Sequence, residues 1–295
     1  MKAYHGARAR RSYFEGWYLK QQAGSDTVAL IPAIHRDEAG RASASLQVIT
    51  GAESFALPYA GEAFQAHPSR FAVRLGPNVF SETGCILDAS SGPATVTGRL
   101  TYGPFLPPRS DIMGPFRFVP HMQCRHSVLS LFHTVRGALW INGRYYRFDG
   151  GPGYAEGDRG RSFPRRYIWT QGSWAGNCAM LSVADIPLLG GHFTGCIGSI
   201  LYRGRELRLA TYRGVRVLEV AGERATVRQG AWEFTAERLG GAGLPLRAPE
   251  AGAMRRTVHE SAACPVRYRL THGRNTIFDT LVEQASYENA WRNER

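Results

Sequence analysis

A chain of 295 residues with a hydrophobic fraction of 43% has the length for one large or two ordinary domains and the composition of a folded core, which excludes a disordered protein. Its formal charge of +12 raises the question of nucleic acid, but lysine occurs only as Lys2 and Lys20 and the arginines are spread along the chain, so no phosphate-binding cluster stands out and nucleic acid is not an expected partner. Five scattered cysteines (Cys85, Cys124, Cys178, Cys196 and Cys264) lack any C-x-x-C spacing, which argues against a disulfide framework and a cysteine zinc site and points to a reducing, cytoplasmic setting.

In chain order, a basic start leads without an apolar leader into an aromatic segment at 15–19 (EGWYL), followed by apolar runs at 28–31, 45–49 and 71–75. These runs are rich in β-branched and aromatic residues and are separated by Gly, Pro, Asn and Asp, the pattern of antiparallel strands. The clearest hairpin joins 138–141 to 144–148 through Asn142-Gly143, because that pair supplies the positive φ angles of a two-residue type I′ turn. A Gly- and Pro-rich stretch at 149–164 follows and reads as an inter-domain connection. It lacks the G-K-[ST] of a phosphate loop. Beyond it, segments 167–171, 179–183, 199–202 and 215–219 echo the first half in order and spacing, as two copies of one β unit would. Helical spacing of Leu281, Ala285 and Glu288 predicts one short helix at about 280–291. The expected fold is therefore all-β, with two antiparallel barrels or sandwiches, one over 1–162 and one over 163–295, each closed to hide its edges. No run is apolar and long enough to span a membrane, although the basic charge predicts weak peripheral attraction to an anionic lipid surface.

Several segments together resemble the tocopherol cyclase family. They are 14–20 (FEGWYLK), 78–81 (NVFS), 113–116 (MGPF), 122–126 (MQCRH), 153–164 (GYAEGDRGRSFP) with Trp169 and Gln171, then 210–212 (ATY), 246–249 (LRAP), 254–256 (MRR) and Glu260-Ser261. They lie in family order and cover almost the whole chain. The sequence departs from the family pattern at Gln123, where glutamate is usual, and at Arg159, where tryptophan is usual. The resemblance implies a lipocalin-like pair of β-barrels and an enzyme that protonates a prenyl-type alkene in an apolar cavity. An oxygen then captures the cation, by cyclisation or, if water enters, by hydration. Such chemistry needs no redox cofactor. The other reading is a lipocalin-like carrier of a hydrophobic small molecule, for which an enclosing barrel alone suffices.

Alkene protonation requires an acid, and a carboxylic acid serves if burial keeps it protonated. Glu156 and Asp158, two apart and on one face if their segment is extended, are the leading candidates. Their alternative role is structural, holding the glycine-rich segment through backbone N–H groups or pairing with Arg159 and Arg161. His126 is the third catalytic candidate, since its pKa lies near physiological pH. Arg125 precedes it and points to the opposite face of a strand, so only one of the two can meet a given ligand. Trp17, Tyr18, Tyr154 and Trp169 are the aromatic candidates for ligand contact, where ring faces stabilise a cation, with core plugs as the other reading. His121 and His133 show no ligand spacing with His126, so no metal is expected. Cys124 lacks a triad or oxyanion motif and reads as structural.

Overall fold

The computed structural model describes residues 4–92, 94–120, 122–188 and 191–291. Most of them lie in antiparallel strands, and helical turns are confined to short 3-10 segments among the described residues. Contacts divide the chain into two compact units, Met1–Pro108 with Cys124–Phe163 and Leu246–Thr257, and Arg109–Gln123 with Pro164–Pro245 and Val258–Arg295.

The first sheet contains β1 (Tyr13–Ala23), β2 (Asp26–Arg36), β3 (Ala42–Thr50), β4 (Ser54–Ala60), β5 (Phe64–Ala66), β6 (Ala72–Leu75), β7 (Asn78–Ser81), β8 (Gly84–Ser91), β9 (Ala94–Tyr102), β10 (Cys124–Ile141) and β11 (Arg144–Gly160). Their order is β4-β3-β2-β1-β11-β10-β9-β8-β7-β6-β5. The second sheet contains β12 (Tyr167–Trp174), β13 (Asn177–Leu188), β14 (Gly191–Tyr202), β15 (Arg205–Ala210), β16 (Arg216–Ala221), β17 (Arg224–Gln229), β18 (Trp232–Arg238), β20 (Ala253–His272) and β21 (Asn275–Asn289), with β19 (Leu244–Glu250) paired to β20. Its order, β15-β14-β13-β12-β21-β20-β18-β17-β16, repeats that of the first: a four-strand meander whose first strand pairs with the last strand of the unit. The hydrogen-bonded orders are open, so the sheets curl into lipocalin-like sandwiches without closing into barrels.

Alternation places the core. In β8, Cys85, Leu87 and Ala89 are buried while Ile86 and Asp88 are exposed, as a period of two requires. The first core gathers Leu46, Val48 and Leu57 from one end of the sheet with Val73, Leu75 and Phe80 from the other, so the curled sheet packs on itself. At 25 cal/mol or so per Å2 of apolar area, such burial is the main term holding the unit together. The expected hairpin is present, with Ile141 opposite Arg144 and both Asn142 and Gly143 at positive φ.

Three expectations are corrected. The stretch 149–160 is the end of β11, a central strand paired to both β1 and β10, and not a connector. Its glycines allow close approach: a Cβ on Gly151 would lie 1.9 Å from the Gln22 carbonyl oxygen, and one on Gly153 would lie 2.3 Å from His133 Nε2. The predicted helix at 280–291 is instead part of β21, where Leu281 is 47% exposed while Ala285 is buried, and pairing to β20 and β12 overrides a weak helical spacing. Trp17 and Trp169, both expected to contact ligand, point to different faces of their sheets. Trp17 lies in the first core, whereas in the second unit it is Ile168 that joins the core, which turns Trp169 to the other face.

Candidate functional site

On β11, Tyr154, Glu156 and Asp158 alternate along one face, because residues two apart on a strand point the same way. Register places Lys20, Tyr18 and Gly16 of β1 beside them on one flank, and Val128 and His126 of β10 on the other. The opposite face carries Trp17, Leu19 and Ala155 into the hydrophobic core. These functional candidates therefore lie on the face turned away from that core, and yet Tyr18, Lys20, Tyr154 and Glu156 are buried there.

His126 joins two carboxylates. Its Nδ1 is 3.0 Å from Asp158 Oδ1, in hydrogen-bonding geometry. Its Nε2 is 3.2 Å from Glu156 Oε2, close enough for an ion pair but poorly aligned for a hydrogen bond. Tyr154 donates its hydroxyl to the same Glu156 oxygen at 2.5 Å, and the Cys124 thiol donates to Asp158 Oδ1 at 3.5 Å. Burial alone would depress the imidazole pKa, but Glu156 and then Asp158 outweigh it and hold His126 well above its ordinary value. The imidazole, 9% exposed, is thereby favoured in its protonated form between two carboxyl groups.

The predicted residues divide by position. Glu156, Asp158, His126 and Tyr154 come together, and Tyr18 stands opposite Glu156 in register. Arg125 points to the other face, in register with Arg159. Trp17 packs in the core, stacked on Phe64 and tilted against Phe71. Trp169 belongs to β12 of the second unit, in register with Glu288. His133 is separate from His126, buried against Tyr102 and Phe105, and burial alone lowers its pKa to about 3, so it stays neutral. Cys124 is inert as a thiolate, since burial and then Asp158 push its thiol well up. His121 lies outside the described residues.

Sequence reasoning missed Lys20 and Glu15. Lys20 is fully buried on the functional face beside Tyr154. Its signal was its rarity, one of two lysines in an arginine-rich chain. Glu15, on the other face and 3% exposed, accepts from the Tyr13 hydroxyl at 2.6 Å, the His5 amide at 2.9 Å and His5 Nδ1 at 2.9 Å. A hollow of about 10 Å3, the space of about one water, is lined by Glu15, Gly16, Trp17, Ser127, Gly157, Asp158 and Arg159.

Ligand atoms of His126, Glu156 and Asp158 all fall within 4.8 Å of one another, a span compatible with a cation. The imidazole, however, presents a different nitrogen to each carboxylate, and one ion can take only one of them. The arrangement suits shared protons better than a shared metal.

No family model matches the chain, and no curated sequence matches it. Solved structures do. A Nitrosomonas europaea protein described provisionally as AttH superposes with a TM-score of 0.54 at 12% identity, over 95% of this chain and 92% of that one. CghA with Sch210972 gives a TM-score of 0.56 at 12% identity, over 94% of this chain and 88% of that one. A second CghA structure gives 0.51 at 13% identity with the same coverage. At such identity the likeness establishes a shared fold across nearly the whole chain.

Proposed function

We propose that this protein is a tocopherol cyclase-like enzyme that protonates a prenyl-type alkene and lets an oxygen capture the cation. The observation that carries the reading is His126 set 3.2 Å from Glu156 and 3.0 Å from Asp158 on a buried face, where both carboxylates favour its protonated form. Carriers of apolar molecules have no need of such a cluster, and burying ionisable groups without a task is costly. The motif resemblance and the shared fold support the same reading, as does CghA, a protein of this fold solved with the small molecule Sch210972.

In this reading Asp158 orients the imidazole through Nδ1 and Tyr154 orients Glu156. The Nε2 proton of His126, on the side of Glu156, forms a C–H bond at the less substituted alkene carbon, leaving a tertiary cation and a neutral imidazole. A phenolic oxygen of the same substrate donates a lone pair to form the C–O bond and returns its proton to Glu156. Protons and electrons balance without a redox partner. Water in place of the phenol gives the hydrated product. Tyr18, in register with Glu156, is the proposed aromatic contact for the substrate, and Trp17 is assigned to the core.

The test is incubation of the purified protein with a panel of prenyl quinols followed by mass spectrometry. An isomer lacking the alkene supports cyclisation, and gain of one water supports hydration. Recovery of unchanged, protein-bound quinol would instead identify a carrier.

A further inference from the structure

We propose that the solvent face of β6 to β11 around the Asn142-Gly143 hairpin docks on an anionic lipid bilayer. The arginines look dispersed in the sequence, but strand pairing gathers them. One continuous cross-strand row reads Arg74, Val79, Ile86, Arg99, Ala138, Arg147. Arg136 stands on the same face two residues before Ala138. All four arginines are exposed.

The same face carries apolar and amphipathic side chains out of place on an ordinary solvated sheet. Trp140 is 52% exposed, Tyr145 is 46% exposed and Ile86 is 41% exposed. Trp140 and Tyr145 are register partners whose rings lie 4.8 Å apart, so they form one platform at the hairpin end. Trp and Tyr favour the bilayer interface, where the ring meets acyl chain and the polar edge meets headgroups. Arginine adds bidentate contacts to lipid phosphates.

Charge selects the partner. Against the four arginines stand Asp88 and Asp149, the latter paired with Arg147 at 2.8 Å, while at the hairpin Glu53 accepts from Asn142 and Arg144 pairs with Asp26, so the excess of positive charge is small. Nucleic acid binding draws on counterion release from many basic contacts and has little use for an exposed Ile and Trp. A bilayer uses both parts, apolar insertion and modest attraction to anionic headgroups. This docking does not depend on the chemistry proposed at His126, because it is measured without substrate.

The experiment is co-sedimentation of the full chain with vesicles of phosphatidylcholine alone and of phosphatidylcholine mixed with phosphatidylserine. Binding is expected to the mixed vesicles, to weaken with added salt, and to be near background on phosphatidylcholine. Arg99→Glu with Arg136→Glu should lower the bound-to-free ratio about tenfold or more, and Trp140→Ala about fivefold. Both variants alter exposed side chains, and an unchanged melting transition verifies their fold. Equal partition of the variants and the parent, no parent binding to the mixed vesicles, or tighter parent binding to a short DNA duplex would each overturn the proposal.

Discussion

The two sheets share one strand order but not one chemistry. In the first, the paired strands β10 and β11 set His126 between Glu156 and Asp158. In the second, the corresponding β20 and β21 set Glu260 opposite Glu288, with the Tyr167 hydroxyl donating to Glu288. Both clusters lie on faces turned away from their hydrophobic cores, since Tyr287 and Ser261 occupy the alternate, inward positions. A duplicated scaffold thus fixes where polar groups can gather, and substitution decides what they do. Of these two clusters the first contains a histidine, and the proton transfer we propose belongs there.

The largest expected effect separates these two clusters. Glu156→Gln should lower turnover by about 10²–10⁴ while ligand binding survives, because shape is kept and the carboxylate that holds His126 protonated and takes the phenol's proton is lost. Glu288→Gln should leave turnover within about threefold and instead cost about 1–3 kcal/mol of stability through its buried hydrogen bond. Steady-state kinetics and denaturant unfolding of the pair give the answer, and the reverse pattern would move the chemistry to the second sheet.

Next in size is the loss of the imidazolium itself. His126→Leu strands Glu156 and Asp158 without their shared counter-charge, at about 3–5 kcal/mol. Adding Glu156→Gln and Asp158→Asn to that variant should recover most of the loss. A triple variant no more stable than His126→Leu would mean that the cluster is not held by charge.

A smaller effect is in pH. His126 has a folded pKa raised above its unfolded value, so its stabilisation is full below about pH 6.5 and is lost as pH rises through the folded value. His133 and His35, lowered by burial to about 3 and about 4, act in the opposite sense, since the unfolded chain takes up protons that they refuse. Their contribution falls as pH drops from about 6.5 towards 4. Melting curves should therefore show an alkaline limb that disappears in His126→Leu and an acid limb that remains. The smallest effect is Gly143→Ala, which meets φ of +82° and should cost about 1 kcal/mol with the site unchanged.

Much of this was legible in the sequence. Asn142-Gly143 fixed a hairpin because few residues tolerate its angles, and the spacing of Tyr154, Glu156 and Asp158 gave one face once the segment was extended. The register that brings His126 opposite Asp158 was not legible, since it spans a long loop-back with bulges between Val128 and Ser130 and between Ser130 and His133. Nor was the meaning of Gly151 and Gly153, which read as breakers but serve close backbone approach that only the neighbouring strands reveal. Lys20 stayed hidden for a similar reason: its burial comes from a strand covered on both faces, which local polarity does not announce.

The central claim is the charge on His126, and nitrogen-detected NMR of its imidazole tests it without any substrate. Between pH 7 and 8, where a histidine of ordinary pKa near 6.5 is mostly neutral, both ring nitrogens should carry protons and show imidazolium shifts. A neutral tautomer over that range, titrating near 6.5, would contradict the account.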